Sequence, residues 1–174
     1  IPEDQLWPIL GDDDAVSAAV PASGPASAPT NDVWDTHNTE DLQKPRRGYN
    51  RNRMMADQVR ILCGSVPADL ETFSRISQIS QAEAKKYFIE RFRIGKWRRT
   101  GIIWWNVIDG CPQFSDAVVD YYYNKKMAYY YIKRSQARTA LMFDEPDGHT
   151  AQLYGINDCD AEKHVRFKVT DVVS

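Results

Sequence analysis

The chain has 174 residues, of which 43% are hydrophobic and 26% are charged, and its formal net charge is −2. These proportions are typical of a globular protein with enough material for a real core. The small net charge gives no electrostatic reason to expect a nucleic acid or an anionic membrane as partner. No apolar run approaches the roughly 20 residues that a membrane span needs.

The cysteines and acidic runs do not have the spacing of a metal site. Cys63, Cys111 and Cys159 are widely separated and odd in number, which fits neither a disulfide framework nor a Cys-x-x-Cys site. The acidic triplet at residues 12–14 lacks the ligand spacing of a calcium loop. The sequence therefore predicts no metal and no cofactor.

The amino-acid composition changes several times within the first fifty residues. Residues 1–8 are interpreted as a short turn or helix start. Residues 11–30 are rich in Ala, Ser, Pro and Gly and have hardly any large apolar side chain. Such a stretch cannot offset its ordering entropy, so it is predicted to be a flexible surface insertion. Structure is expected to resume at residues 31–38, and residues 44–53 are predicted to form a basic loop.

Two helices are predicted before the centre of the chain. The first spans residues 54–62 and stops at Gly64. The second spans residues 67–93, because Pro67 and the acidic residues after it suit an N-terminus, while arginines before Gly95 suit a C-terminus. Its expected inward face combines large and small side chains: Phe73, Ser77, Ser80, Ala84, Tyr87 and Phe88.

The centre of the chain is the apolar run at residues 101–108. It is β-branched and aromatic, too short for a typical helix and followed by Asp109, which predicts a strand buried on both faces. Helical patterns on both sides give a unit of helix, strand, loop and helix, and in α/β folds chemistry collects at the C-terminal ends of such strands. Core packing is the alternative role for Trp104 and Trp105, because tryptophan is highly buried on average.

The last third of the chain changes from helix to strand. Residues 125–134 are predicted to form a helix, and from residue 137 the apolar and polar positions alternate in three segments: 139–143, 150–156 and 164–169. Three strands with one apolar face predict the opening of an antiparallel sandwich. The predicted domain boundary therefore lies between residues 136 and 137.

Five blocks of the sequence occur in the order of one known family: residues 2–8 (PEDQLWP), 77–83 (SQISQAE), 101–112 (GIIWWNVIDGCP), 120–122 (DYY) and 128–134 (AYYYIKR). Together they resemble the end of the catalytic barrel of glycoside hydrolase family 2. The resemblance is closest to the β-mannosidase-like and exo-β-glucosaminidase-like branches.

The resemblance implies an α/β fold in two parts. Residues 1–136 would be the C-terminal part of a (β/α)8 TIM barrel, with the insertion at 11–30, and residues 137–174 would start an immunoglobulin-like β-sandwich. It also implies that the chain belongs to a retaining, exo-acting glycosidase that removes terminal β-linked sugars. Both catalytic glutamates of the family would lie upstream, so the chain alone is expected to be inactive. Its implied partners are the carbohydrate substrate and the remainder of the barrel, in the same parent protein or a companion chain.

The same resemblance assigns substrate-binding positions. Trp105 would stack on the terminal sugar, since an indole face suits the C–H face of a pyranose, and Asn106 and Asp109 would bind hydroxyls or support those that do. Trp34 and His37 would line the cleft, although a structural hydrogen-bonding role is the alternative for His37. Many relatives have Gln at position 106, and mannosidase-like relatives often have Trp in place of Cys111, so the sugar stays open among mannose, glucosamine, galactose and glucuronic acid.

Two other classes of protein fit part of the pattern. A non-catalytic carbohydrate-binding or assembly module would explain the aromatic-rich centre and the missing pair of glutamates. A quarter of a barrel, however, leaves strand edges unpaired, which closed barrels avoid. A wholly structural domain would explain the tyrosine clusters at 121–123 and 129–131, but not the ordered family blocks.

Overall fold

The computed structural model describes residues 32–37 and 51–170. The predicted N-terminal block at 1–8, the insertion at 11–30 and most of the basic loop lie outside these residues. The end of that predicted loop, residues 51–53, is helical, so the loop prediction is wrong there. The described residues contain four helices and two strands: α1 (Asp32–Thr36), α2 (Arg51–Cys63), α3 (Leu70–Ile94), α4 (Met127–Ser135), β1 (Thr139–Phe143) and β2 (Leu153–Asn157). None of these helices is long and apolar enough to cross a membrane.

The longest element, α3, corresponds to the helix predicted at 67–93. Asp69 is its N-cap: the backbone there is extended, and the carboxylate accepts a hydrogen bond of 2.8 Å from the Thr72 N–H. The predicted start at Pro67 is wrong, because this cap sets the beginning of the helix after Asp69. The last turn carries two arginines before Gly95, as predicted.

Two apolar clusters hold the helices together. One joins the first three helices through Trp34, Ala56, Val59 and Phe73, and the other joins α3 and α4 through Ala82, Ile89, Val118, Val119, Ala128 and Ile132. Each large side chain buried in this way contributes roughly 1.5–3 kcal/mol. The predicted inward face of α3 is wrong at Ala84, Tyr87 and Phe88, which are exposed. The reason is that α4 packs on the side of Ala82 and Ile89 and leaves the side of Phe88 open.

The central segment, residues 101–108, lies between α3 and α4 in the chain as predicted, but it pairs only at its end. Val118 N–H donates to the Asn106 carbonyl (3.2 Å), and Val119 N–H donates to the Val107 carbonyl (2.9 Å). The bond to Val107, together with the Asp109 N–H that donates to the Val119 carbonyl (3.2 Å), forms a parallel bridge between Ile108 and Val119. Residues 117–119 therefore run beside the end of the central segment and in the same direction.

Burial alternates along the central segment. Ile102 and Trp104 pack against the cluster between α3 and α4, whereas Ile103 is fully exposed and Trp105 is 74% exposed. The prediction of a strand buried on both faces is thus wrong for the described structure. The helices cover one face, and the other face is open because neither of the two described strands pairs with this segment.

Strands β1 and β2 form an antiparallel hairpin whose register runs from Thr139 opposite Asn157 to Phe143 opposite Leu153. The connecting turn includes Gly148, whose φ of 61° lies in the left-handed region that glycine tolerates. The first predicted strand is confirmed as β1, and the second is confirmed in type, although β2 begins at Leu153 rather than at residue 150. The third, at 164–169, is wrong: these residues form no strand, and their alternating apolar side chains are exposed, because no described segment pairs with them.

Charged side chains attach the hairpin to the end of α3. Arg93 donates to the Asp158 carboxylate at 2.6 Å, and Lys96 forms an ion pair with the same carboxylate. Within the hairpin itself, Arg138 before β1 donates to the carbonyl of Asp158 after β2 at 3.1 Å. A further ion pair joins Arg91 to Asp144. The hairpin therefore follows α4 in sequence but is fixed to α3 by these contacts.

Candidate functional site

The open face of the central segment borders a cleft of about 460 Å³. Its described lining includes Ala84, Lys85 and Phe88 from α3, and Ile103 and Trp105 from the central segment. The combination of an exposed indole and aliphatic side chains with a few polar groups is typical of a small-molecule site. This cleft is the candidate site, and we call it the tryptophan cleft.

Trp104 and Trp105 point to opposite sides although they are adjacent. The Trp104 ring packs against the α3–α4 cluster, as expected for a core tryptophan. Both tryptophans line the tryptophan cleft, but Trp105 is 74% exposed whereas Trp104 is half-buried. The opposite orientation follows from the two-residue period of an extended chain. Packing is therefore the observed role of Trp104, and Trp105 is free to meet a ligand. The peptide bond between Trp105 and Asn106 is cis.

Lys85 connects both tryptophans to α3. Its ammonium donates to the Trp105 carbonyl at 2.5 Å and lies 5.0 Å from the centre of the Trp104 ring. Burial lowers the pKa of Lys85, and the negative charge of Asp116 partly opposes this effect. The sequence offered no signal for these contacts, since Lys85 has the same appearance as any lysine on a helix surface.

Asp109 lies at the end of the central segment and is 4% exposed. Its Oδ1 accepts a hydrogen bond from Gln113 Nε2 at 2.8 Å and another from the Ser115 hydroxyl. Its Oδ2 accepts no hydrogen bond from the described residues and lies 3.7 Å from Lys126 Nζ. Asp109 thus fixes the loop that follows it. Asn106 is half-buried, and its Nδ2 donates to the Ile108 carbonyl at 3.3 Å.

Lys126 is the counter-charge of Asp109. It also donates to the Ser115 carbonyl at 3.1 Å, so that it contacts both ends of the loop between Asp109 and Ser115. Burial lowers the pKa of Lys126, and the attraction of Asp109 is the first of the effects that oppose the shift. The sequence does not predict the pairing of Lys126 with Asp109, because a lysine just before a helix is common and the two side chains meet only in the folded chain.

Trp34 and His37 support the same loop from α1. The Trp34 ring is buried and stacks on Phe114, with 3.7 Å between ring centres. His37 Nδ1 lies 3.3 Å from the Pro112 carbonyl, which can only accept, so Nδ1 is the donor. The His37 carbonyl in turn accepts from the Phe114 N–H at 3.0 Å. The structure therefore brings Asp109, Trp34 and His37 to one loop, while Trp105 lies on the tryptophan cleft.

A second cleft, of about 530 Å³, lies between α2, α3 and the loop around Phe114. It is larger, but its described lining includes no residue of the open face of the central segment. Its walls include Trp34 and Phe73, which belong to the core. We therefore assign the candidate site to the smaller tryptophan cleft.

The described residues hold no group of three or more His, Cys, Asp or Glu side chains that could bind a metal ion. The described lining of the tryptophan cleft includes the carboxylate of Asp116 but no glutamate. Glu83 pairs with Lys86 at 3.8 Å on the surface of α3, and the carboxyl of Glu90 lies 3.4 Å from the Ser135 hydroxyl. The described lining of the cleft therefore offers a ligand aromatic surface, the Lys85 ammonium group and the Asp116 carboxylate.

Comparison with solved structures relates the chain to the glycoside hydrolases. The chain is similar to a β-D-mannosidase from Dictyoglomus thermophilum, with 26% sequence identity and a TM-score of 0.61. The match covers 79% of this chain and 16% of the mannosidase, so this chain spans a small part of that protein's length. The similarity supports the predicted relationship to glycoside hydrolase family 2 and fits an α/β segment. No protein-family model matches the sequence, and no curated protein matches it either.

Proposed function

We propose that this chain is part of a retaining, exo-acting glycoside hydrolase that removes terminal β-linked sugars. The observation that carries this proposal is the exposed ring of Trp105, which lies at the end of the central segment in a chain similar to a β-D-mannosidase. Glycoside hydrolysis is the activity that the neighbour's name gives.

The proposed architecture explains the open face. The central segment would be the eighth strand of a (β/α)8 barrel, with α3 as the seventh helix before it and α4 as the eighth helix after it. In such a barrel the outer face of every strand packs against helices. The side of Ile103, Trp105 and Val107 would then face the barrel interior, where other strands of the parent protein complete the wall. The hairpin of β1 and β2 would be the start of an immunoglobulin-like sandwich.

The proposed site uses two kinds of residue. Trp105 stacks on the apolar face of the terminal sugar, and Asn106 reaches one of its hydroxyl groups. Asp109 does not contact the sugar in this proposal but supports the end of the central segment, because its carboxylate is buried and already accepts a hydrogen bond from Gln113. Trp34 and His37 act through the loop that they contact.

The reaction needs partners for this chain. Retaining glycosidases use two carboxyl groups about 5–5.5 Å apart, one as acid/base and one as nucleophile. The described lining of the tryptophan cleft lacks such a pair, so we propose that both glutamates belong to the remainder of the barrel. That remainder is supplied by the same parent protein or by a companion chain, and this chain alone is inactive.

One observation favours a second candidate function. An exposed tryptophan beside a cleft whose described lining contains no glutamate would also serve a carbohydrate-binding module that does not hydrolyse its ligand. The two functions differ in a direct assay. Hydrolysis of p-nitrophenyl β-glycosides by this chain together with the rest of the barrel, with the β-anomer as first product, supports the retaining glycosidase. Sugar binding without hydrolysis in that complete assembly supports the binding module instead.

The role of Trp105 has its own test in the complete enzyme. We expect Trp105→Ala to lower kcat/KM at least about tenfold, which corresponds to about 1.4 kcal/mol of transition-state binding. The matched control is Trp97→Ala, because Trp97 is 83% exposed and is not among the described residues that line the cleft. Equal kinetics for Trp105→Ala and wild type, with both proteins folded, would contradict the proposed site.

A further inference from the structure

We propose that Lys85 is a positioning residue for Trp105: it holds the backbone that carries the sugar-stacking ring. This inference rests on the proposed function of Trp105 and extends it to a residue on α3. Lys85 would not touch the sugar. It would act by fixing where the Trp105 ring stands in the tryptophan cleft.

The contact geometry gives Lys85 two attachment points on the central segment. One is the Trp105 carbonyl, 2.5 Å from the ammonium nitrogen, and the other is the face of the Trp104 ring, 5.0 Å away. A charge-assisted hydrogen bond is roughly twice as strong as a neutral one. A cation over an indole adds attraction of its own. A single ammonium group therefore restrains both tryptophans with respect to α3.

The central segment depends on this restraint at the position of Trp105. Among the described residues, backbone pairing of the segment begins only at Asn106, whose carbonyl accepts from Val118. The Trp105 ring is 74% exposed, so its own packing does little to hold it. What fixes residues 102–105 in the described structure is the burial of Ile102 and Trp104 together with the bond from Lys85.

The surroundings keep the ammonium group at this place. Lys85 is partly buried, and the loss of hydration that comes with this burial lowers the pKa of its ammonium group. The Trp105 carbonyl and the Trp104 ring replace part of that hydration, and the charge of Asp116 is attractive. Lys85 thus has a reason to stay on the central segment, whereas a lysine free in solvent would sample many rotamers.

The test is a double-mutant cycle in the complete glycosidase, with kcat/KM measured on the p-nitrophenyl β-glycoside that the enzyme hydrolyses fastest. Lys85→Met keeps an apolar stem against Trp104 and removes the ammonium group. We expect it to lose at least about fivefold in the wild-type background and less than about twofold in the Trp105→Ala background. A residue that only stabilises the fold would cause the same loss in both backgrounds.

The control is Lys86→Met, since Lys86 is the next residue on α3, is half-exposed and pairs with Glu83 at 3.8 Å. We expect it to match the wild type. Equal losses for Lys85→Met in the two backgrounds, or no loss at all, would overturn the proposal. If Lys85→Met does not fold, Lys85→Gln takes its place in the same cycle. Wild-type activity in Trp105→Ala alone would instead refute the proposed role of Trp105, so the two failures are distinguishable.

Discussion

Replacing Lys126 by methionine tests the electrostatic support of the candidate site. Methionine keeps an apolar side chain of similar length but removes the positive charge 3.7 Å from Asp109. The Asp109 side chain is only 1% exposed, so water cannot replace the lost partner. Removal of one member of a buried ion pair is destabilising because the other charge is left uncompensated.

The size of the effect follows from the geometry. At this separation, an effective dielectric constant of about 20 gives an attraction of about 4 kcal/mol. Part of it is offset, because burial of the Lys126 charge is itself unfavourable and lowers its pKa. We therefore expect Lys126→Met to lose about 2 kcal/mol, which corresponds to a fall of about 4–8 °C in Tm for a chain of this size.

The assay is thermal unfolding of the 174-residue chain, followed by near-ultraviolet circular dichroism. Lys125→Met is the matched control, since Lys125 is exposed and contacts the Tyr129 ring at 5.0 Å. The double variant Lys126→Met/Asp109→Asn should recover most of the lost stability, because the amide that replaces the carboxylate carries no charge to leave unpaired. An unchanged Tm in Lys126→Met, or no recovery in the double variant, would refute this account.

Two further predictions concern the helical core. Phe73→Ala is expected to cost about 3–5 kcal/mol in urea unfolding, since Phe73 is buried against the edge of Trp34, whereas Phe88→Ala, at a 54% exposed position, should cost far less. Equal costs would contradict the observed orientation of α3. Burial is the main cause of the raised pKa of Glu90. The folded state is therefore destabilised by ionisation of Glu90 as the pH rises above the pKa that this group has in the unfolded chain. Glu90→Gln should therefore have a higher Tm than wild type at pH 7 and lose this advantage below about pH 4. Calorimetry at both pH values gives the two Tm differences, and a lower Tm for Glu90→Gln than for wild type at pH 7 would contradict the prediction.

The local pattern of the sequence predicted α2, α3, α4 and the hairpin, because their signals lie within each element. It did not predict α1 as a helix, and α2 begins at Arg51 rather than at residue 54. The apolar alternation at 139–143 produced β1, and Asp69 and Gly95 mark the ends of α3. The third predicted strand had the same alternation, yet residues 164–169 form no strand. Alternation makes a strand possible, but a strand needs a partner with free backbone groups.

The candidate site was predicted only in part. Trp105 and Asp109 stood out because they lie at the end of an apolar run, where α/β folds place their chemistry. The direction of each side chain did not follow from the run itself, since it depends on which face the helices cover. Lys85 and Lys126 were missed because their contacts join residues that are distant in the sequence, namely Trp105 and Asp109.

The contacts of Asp158 determine where the chain can be shortened. Arg93 and Lys96 precede the central segment and Asp158 follows the hairpin, so their ion pairs close a loop of more than sixty residues that contains Trp105 and α4. Closing such a loop reduces the number of conformations open to everything inside it. A cut at the predicted boundary of 136/137 would remove Asp158 and leave both cations without this carboxylate. Any shortened version meant to isolate the barrel segment should therefore keep the hairpin.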